Sequence, residues 1–481
     1  MTAADDRHAD NHASGFFRRH PIGTIVLVLL TLLISLPVVV YLHGRMRLAA
    51  VTARIRAAGQ PLTWEEVLAV LPTIPDEQNM AVQIDKYATP IRICVNATSG
   101  RGEDLPLLGI RRSPAPGLRL DPGGIETSKQ LLETNAPNVE GLMAAAELSE
   151  GQYPPPFDLD SHGVPALNDH VLTLHRFAVK TLCLKALVEA NLNQANPAHT
   201  TLVALTRLDR ALAKSPTLVA VLTRYACASV IGETAIRCVA LADLSDMQLQ
   251  NLQRQFEELE GNLSPAWAFR SEVGYNESSW ERLADSQGGK PVFLLLSYDR
   301  ALTLELMSRA ADAAELPIQQ AVAEIRNVGQ ERDGLPFYYP LTRIAISSPA
   351  HVAEAWTRAV AELRIARTTV AIKRFHLAHG RWPDRLDELV PEFMDRIPVD
   401  PSDGQPLRYT LTDTGLEIRS STISCDWRFS DPSLDNPTTQ PSASQPASAS
   451  TDAFSGNNGP SAVSYIRRPD VADVRTLPRK I

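Results

Sequence analysis

The alternation of apolar and polar positions divides the chain into an unbroken apolar run, a mixed stretch, a long helical middle and a polar tail. Residues 22–42 carry no charge, and fifteen of these 21 positions are Leu, Ile or Val. As a helix the run is about 31 Å long, which matches the hydrocarbon thickness of a bilayer. At roughly −0.3 to −0.6 kcal/mol per Leu, Ile or Val, insertion is favoured by about 5–9 kcal/mol, which outweighs Gly23, Ser35 and Pro37. The run continues into His43-Gly44-Arg45-Met46-Arg47 rather than into the small residues of a signal-peptidase site, so it predicts an uncleaved transmembrane anchor over 21–43 behind a short polar tail, 1–20. Arg18 and Arg19 before the run face Arg45 and Arg47 after it, so charge does not set the orientation. A short polar tail ahead of a signal-anchor ordinarily stays in the cytoplasm, which places the soluble part outside.

Residues 44–153 form a mixed juxtamembrane region. Thr63 and Glu66 fit a capping box ahead of a helix. Ile91 to Val95 alternates as a strand would, and the Pro- and Gly-rich stretch 114–124 reads as loop. Residues 154–347 are expected to be a helical domain. Leu202, Leu205, Leu208 and Leu212 recur at steps of three, three and four, and 218–241 is apolar on most sides, as a central buried helix would be. Ser245 with Gln248 makes a second capping box, Leu249, Leu252, Phe256 and Leu259 share one stripe, and Gly261 supplies a stop. Helices resume over 291–314, and Ser348-Pro349 starts another that runs to Gly380. The expected architecture is mainly α: an N-terminal transmembrane helix, then a helical bundle or a tetratricopeptide-like stack without a clean 34-residue repeat. A small α+β module within 348–428 and a Pro/Ser-rich tail over 429–481, too polar to order itself, complete it.

A net charge of −8 and a pI near 5.8 leave no basic stripe for nucleic acid. The five cysteines, 94, 183, 227, 238 and 425, include no Cys-x-x-Cys pair, so zinc-ribbon and thioredoxin chemistry are not signalled. Cys227 and Cys238 on one helix stand roughly 16 Å apart, beyond disulfide reach, whereas a Cys94–Cys425 bridge stays open.

Three segments carry a resemblance. They are Arg374-Phe375-His376-Leu377-Ala378-His379-Gly380-Arg381-Trp382-Pro383, then Leu386-Asp387-Glu388-Leu389-Val390-Pro391, then Ile397-Pro398-Val399-Asp400-Pro401-Ser402-Asp403-Gly404 through Tyr409. Together they resemble the C-terminal module of type II secretion major pseudopilins, over about 50 residues. The residues themselves predict a helix stop at Gly380, a short helix at 386–390, tight turns at Asp400-Pro401 and Asp403-Gly404, and a hairpin of strands 407–411 and 416–418. The Glu of a pilin-type processing site is missing after Gly15, and the Gly- and Asp-rich calcium loop is replaced by Ser424-Cys425-Asp426-Trp427. Cleavage, filament assembly and calcium are therefore not carried over. The whole order of anchor, Ala57-Ala58-Gly59-Gln60-Pro61, helical middle, module and tail resembles a group of uncharacterised envelope proteins of planctomycete-type bacteria. That resemblance implies an address in the cell envelope and no particular activity.

No cofactor is expected, and no catalytic constellation is legible: His-Glu-x-x-His, Gly-x-Ser-x-Gly and Ser-x-x-Lys are all missing. Asp158, Asp160 and His162 have the composition of a metal-ligand cluster, yet a Pro-rich loop carries such residues as ordinary solvated polarity. His376 and His379 share a helical face, but a histidine in a last turn serves the free carbonyls. Asp400 and Asp403 read as caps of their turns, and Glu257, Glu258 and Glu260 as a solvated helix face. The leading expectation is a non-enzymatic, membrane-anchored interaction or scaffold protein with a protein partner in the envelope. The alternative is a membrane-tethered hydrolase using the polar residues near 158–162.

Overall fold

The structure, a computed structural model, describes residues 21–97, 105–109, 113–153, 157–159, 165–167, 169–286, 296–345 and 349–429. The expected disordered tail lies outside these residues, as do the N-terminal polar tail, Asp160, His162 and Ser348. With 68 % of the described residues helical, against about a third in ordinary domains, the core is built by helix on helix.

Helix α1 (Pro21–Ala57) is continuous through the apolar run and beyond it. Its first half leaves Ile22, Ile25, Val26, Leu27, Leu29 and Leu30 exposed, whereas its second half buries Val51 and Ile55. Helix α2 (Trp64–Val70) begins at the foreseen capping box: the Thr63 hydroxyl accepts from the Glu66 amide while the Glu66 carboxylate accepts from the Thr63 amide. The stretch Ile91 to Val95, expected as a strand, lies inside helix α3 (Met80–Ala97). Met80, Ile84, Ala88, Ile91 and Val95 are its buried face, so the three-to-four-residue period of the longer segment overrides a five-residue alternation. Helix α4 (Pro122–Thr134) starts within the expected loop, its N-cap Asp121 accepting from Gly124. Helix α5 (Ala136–Ala145) then packs on α3.

The middle is the predicted run of helices: α6 (Asp169–Asn191), α7 (Ala195–Leu208), α8 (Leu218–Leu241) and α9 (Asp246–Gly261). They continue as α10 (Ala266–Ser286), α11 (Ser297–Ala313), α12 (Ile318–Asp333), the short α13 (Pro340–Ala345) and α14 (Pro349–His379). Leu202, Leu205 and Leu208 of α7 are fully buried, each contributing about 1.5–3 kcal/mol of transfer free energy. Helix α8 is central, lying against α6 on one side and α14, more than a hundred residues later, on another. That arrangement is a bundle, since in a stack each unit meets only its sequence neighbours. By length and composition α8 could cross a membrane, but most of it is buried among its neighbours. Helix α9 has the expected Ser245–Gln248 capping box and buries its four-residue stripe.

Gly380, at φ +68°, ends α14 in the left-handed region that glycine adopts without a Cβ penalty. A 3₁₀ turn follows at Leu386–Leu389, at the place of the expected short helix. The foreseen hairpin is β3 (Arg408–Thr412) and β4 (Gly415–Arg419), and a third strand that the sequence pattern had not indicated, β5 (Ser424–Arg428), pairs antiparallel with β4. Leu416, Ile418, Cys425 and Trp427 form its buried face, continuous with the helical core. A separate two-stranded ribbon pairs β1 (Phe157–Leu159) with β2 (Pro165–Leu167). All five cysteines are described and no disulfide joins any two of them, so the open Cys94–Cys425 pairing is not made.

Candidate functional site

A cleft of about 710 Å³ opens between α9, α14 and the segment 391–399. Its floor follows from the residues of α14. Arg364, Arg367 and Arg374 project from one side of that helix and reach across to α9. Arg364 pairs with Glu260 at 2.7 Å, and Arg367 pairs with Glu257 at 3.0 Å and Glu260 at 3.2 Å. The Arg374 Nε donates to Asp246 at 2.7 Å. Glu257 and Glu260 were expected on a solvated face. Glu257 is exposed as expected, as is Glu258, while Glu260 is half-buried; Glu257 and Glu260 also bind arginines from a helix about a hundred residues away, partners invisible to helical periodicity.

The outer wall is tied down through its backbone. Gln253 Nε2 donates to the Phe393 carbonyl at 2.9 Å, and Arg364 Nη1 donates to the Val399 carbonyl at 2.7 Å. Asp400 then anchors the turn: its carboxylate accepts from the amides of Ser402 and Ser421, and its amide donates to the Gln405 carbonyl. Asp403 accepts from Gln405 at 2.9 Å and from Arg408 at 2.7 Å, which holds its carboxyl below the usual range. Both aspartates act as turn caps, as their spacing implied. Arg254 and Arg396, exposed at the mouth of the cleft, make no ion pair among the described residues. Beside Glu392 and Asp395 they give the rim both signs of charge.

The two histidines of the last turn of α14 face different partners. His376 stacks on Trp382 with ring centroids 3.9 Å apart, and burial holds its imidazole below the ordinary value. His379 stacks on Phe375 at 4.2 Å, and its Nδ1 lies 3.1 Å from the Phe375 carbonyl, the expected service to a helix end. Asp158 pairs with Ala166 in the small ribbon. With Asp160 and His162 outside the described residues, that candidate metal cluster has no described geometry. Among the described residues no group of three or more His, Cys, Asp or Glu is placed to hold a metal.

A buried polar set under α8 escaped the sequence reading. Arg224 makes a bidentate pair with Asp209, at 2.9 and 2.6 Å, and also donates to the Asn262 carbonyl at 2.8 Å. Nearby, the Tyr153 hydroxyl lies 3.2 Å from His175 Nδ1, and burial pushes that imidazole down to about 4, so it is neutral at physiological pH. Burial also pushes the Asp85 carboxyl up to about 7. The Arg224–Asp209 and Tyr153–His175 contacts are enclosed by the core, where they hold its elements together, whereas Asp85 is half-buried.

No family model, curated protein or solved structure matches this chain. The functional reading therefore rests on the geometry.

Proposed function

We propose that this protein is a single-pass membrane protein whose helical body serves as a non-enzymatic interaction or scaffold unit of the cell envelope. The observation that carries the reading is α1: one continuous helix, apolar over residues 22–42 and exposed there at residues such as Ile25, Leu29, Val39 and Leu42, then docked into the body through Val51 and Ile55. An exposed apolar helix of bilayer length is stable only with lipid or protein around it. The body is placed outside the cytoplasm, which accords with the pseudopilin-like order of helix stop, 3₁₀ turn, Asp400 turn and hairpin at the C-terminal end. The cleft between α9, α14 and segment 391–399 is the proposed partner site, because its floor is fixed by ion pairs while Arg254 and Arg396 at its rim are left for a protein segment bearing carboxylates.

Two measurements test this. Reporter fusions after residue 430 should be active only in the form that works outside the cytoplasm; activity of the cytoplasm-only form would reverse the orientation. Affinity capture from cross-linked membranes should return a protein that an Arg254→Glu, Arg396→Glu double variant loses. Equal capture by both forms would remove the cleft from the proposal, and enrichment of nothing would remove the scaffold.

A further inference from the structure

The loop 334–339, between α12 and α13, carries the most exposed aromatic residues among the described ones: Phe337 is 84 % and Tyr338 61 % exposed. They sit at the tip of a turn closed by the Tyr339 amide on the Pro336 carbonyl. Burying two adjacent aromatic rings would be favourable, and leaving them in water is the unusual arrangement.

Where this tip lies is settled by contacts with α1. Gly44, two residues or about 3 Å of helical rise beyond the end of the apolar run, lies directly against α11, so close that a Cβ there would come 2.9 Å from the Tyr298 nitrogen. Arg47, three residues on, donates to Glu305 at 2.7 Å. The contact thus advances along both helices together, so α1 and α11 run parallel and the N-terminus of α11 faces the apolar half of α1. Asp299, buried in the first turn of α11, accepts from the amides of Leu341 and Thr342 and so pins the start of α13 at that end. An unbroken series of ring contacts follows: His43 with Tyr298 at 5.7 Å, Tyr298 with Tyr339 at 5.9 Å, Tyr339 with Tyr338 at 5.0 Å, and Tyr338 with Phe337 at 5.7 Å. Arg47 lies over the Tyr298 ring, and Arg45 is exposed on the same turn of α1. Aromatic rings with adjacent arginines, level with the end of an apolar span, are the chemistry of the bilayer's interfacial layer.

We infer that the 334–339 loop is a second, peripheral membrane contact, in which Phe337 and Tyr338 enter the headgroup layer beside α1 and seat the body against the membrane. The inference rests on the anchor reading of residues 22–42. Asp299 is the positioning residue and the two rings are the lipid contacts. A single helix would leave the body free to tilt, whereas two contacts on the same layer orient it.

The test uses the full-length protein in vesicles of phosphatidylcholine and phosphatidylglycerol, with a photoreactive phenylalanine analogue placed in turn at positions 25, 337, 338 and 247. Met247, on α9, is nearly as exposed as Phe337, 78 % against 84 %, and serves as the control. Lipid adducts at 25, 337 and 338 but not at 247 are expected. Adducts at 25 with none at 337 or 338 would overturn this inference and leave the anchor standing; none at 25 would overturn the anchor itself. Protein adducts at 337 in place of lipid would mean that the rings meet another chain, and would also overturn it.

Discussion

Residues 22–42 of α1 and the whole of α8 are of similar length and both dominated by aliphatic side chains, yet their surroundings are opposite. Helix α8 carries Arg224, Glu233 and Arg237, and each is answered by a specific partner: Asp209 for the first, a mutual pair at 2.8 Å for the other two, and the Pro114 carbonyl for Arg237. The apolar half of α1 carries no charge and presents Ile, Val and Leu outward. The difference teaches that apolar content by itself does not separate a helix covered by the fold from one left exposed. What separates them is whether the few polar residues have partners and whether the apolar face is covered. A charge inside α8 is a tie to the fold, whereas a charge inside residues 22–42 would have nothing to bind.

The sharpest way to break this comparison is to place charge where it has no partner. A Leu29→Arg, Leu30→Arg double variant costs about 5–7 kcal/mol of insertion free energy, nearly all that the run supplies. The variant should be extracted from membranes by alkaline washing while the melting of the body stays unchanged. Retention in the membrane after the wash would show that residues 22–42 are not the anchor. In α8 the expected effect falls on the fold instead. Asp209→Ala leaves the Arg224 guanidinium buried without its counter-charge and should lower stability by about 3–5 kcal/mol in urea denaturation of the detergent-solubilised protein. A loss below about 1 kcal/mol, the range of surface pairs, would mean that the pair is hydrated.

The smallest effect is graded with pH. Burial against α8 pushes the Glu362 carboxyl up to about 8, with Glu233 adding to the rise and Arg358 and Arg237 opposing it. Glu272 moves the same way, to about 7. A raised carboxyl holds a proton in the folded state that the unfolded chain releases. Its contribution is complete below the ordinary carboxyl value and is lost as pH rises toward 8, at no more than about 1.4 kcal/mol per pH unit for one group. Glu362→Gln should flatten that decline, measured as the denaturation midpoint between pH 5 and 8. An unchanged slope would assign the decline to other groups.

The features legible in the sequence were those decided within a few residues. Both capping boxes, Thr63 with Glu66 and Ser245 with Gln248, stand where their spacing put them, because the cap bonds only its own first turn. Gly380 ends α14 for the same local reason, and the Asp400 and Asp403 turns follow from side chains that bind amides two residues on. Ile91 to Val95 misled because five residues are too few to distinguish two periods, and the helical face appears only when Met80, Ile84 and Ala88 are read with them. Strand β5 was overlooked because Ser-Cys-Asp-Trp-Arg looks polar until Cys425 and Trp427 are seen to face one side.

The candidate cleft was not legible at all. Its floor joins Arg364 and Arg367 to Glu257 and Glu260, more than a hundred residues earlier, and its outer wall hangs on the Phe393 and Val399 carbonyls, 140 and 35 residues from the side chains that hold them. The buried Arg224–Asp209 pair was hidden for a related reason, since fifteen residues and a change of helix lie between them.

By itself the amino-acid sequence determined the striped or capped helices such as α7, α9 and α14, the apolar run of bilayer length and the turns of the C-terminal segment, all set by hydrogen bonds and periodicities that act over one or two turns of chain. Tertiary structure alone decided which apolar helix became the core, which charges found partners, and that Tyr298, joined through Tyr339 to the aromatic tip of loop 334–339, meets His43 just past the apolar run. Those outcomes depend on surfaces brought together from distant parts of the chain, where burial removes water and makes every unpaired polar group costly.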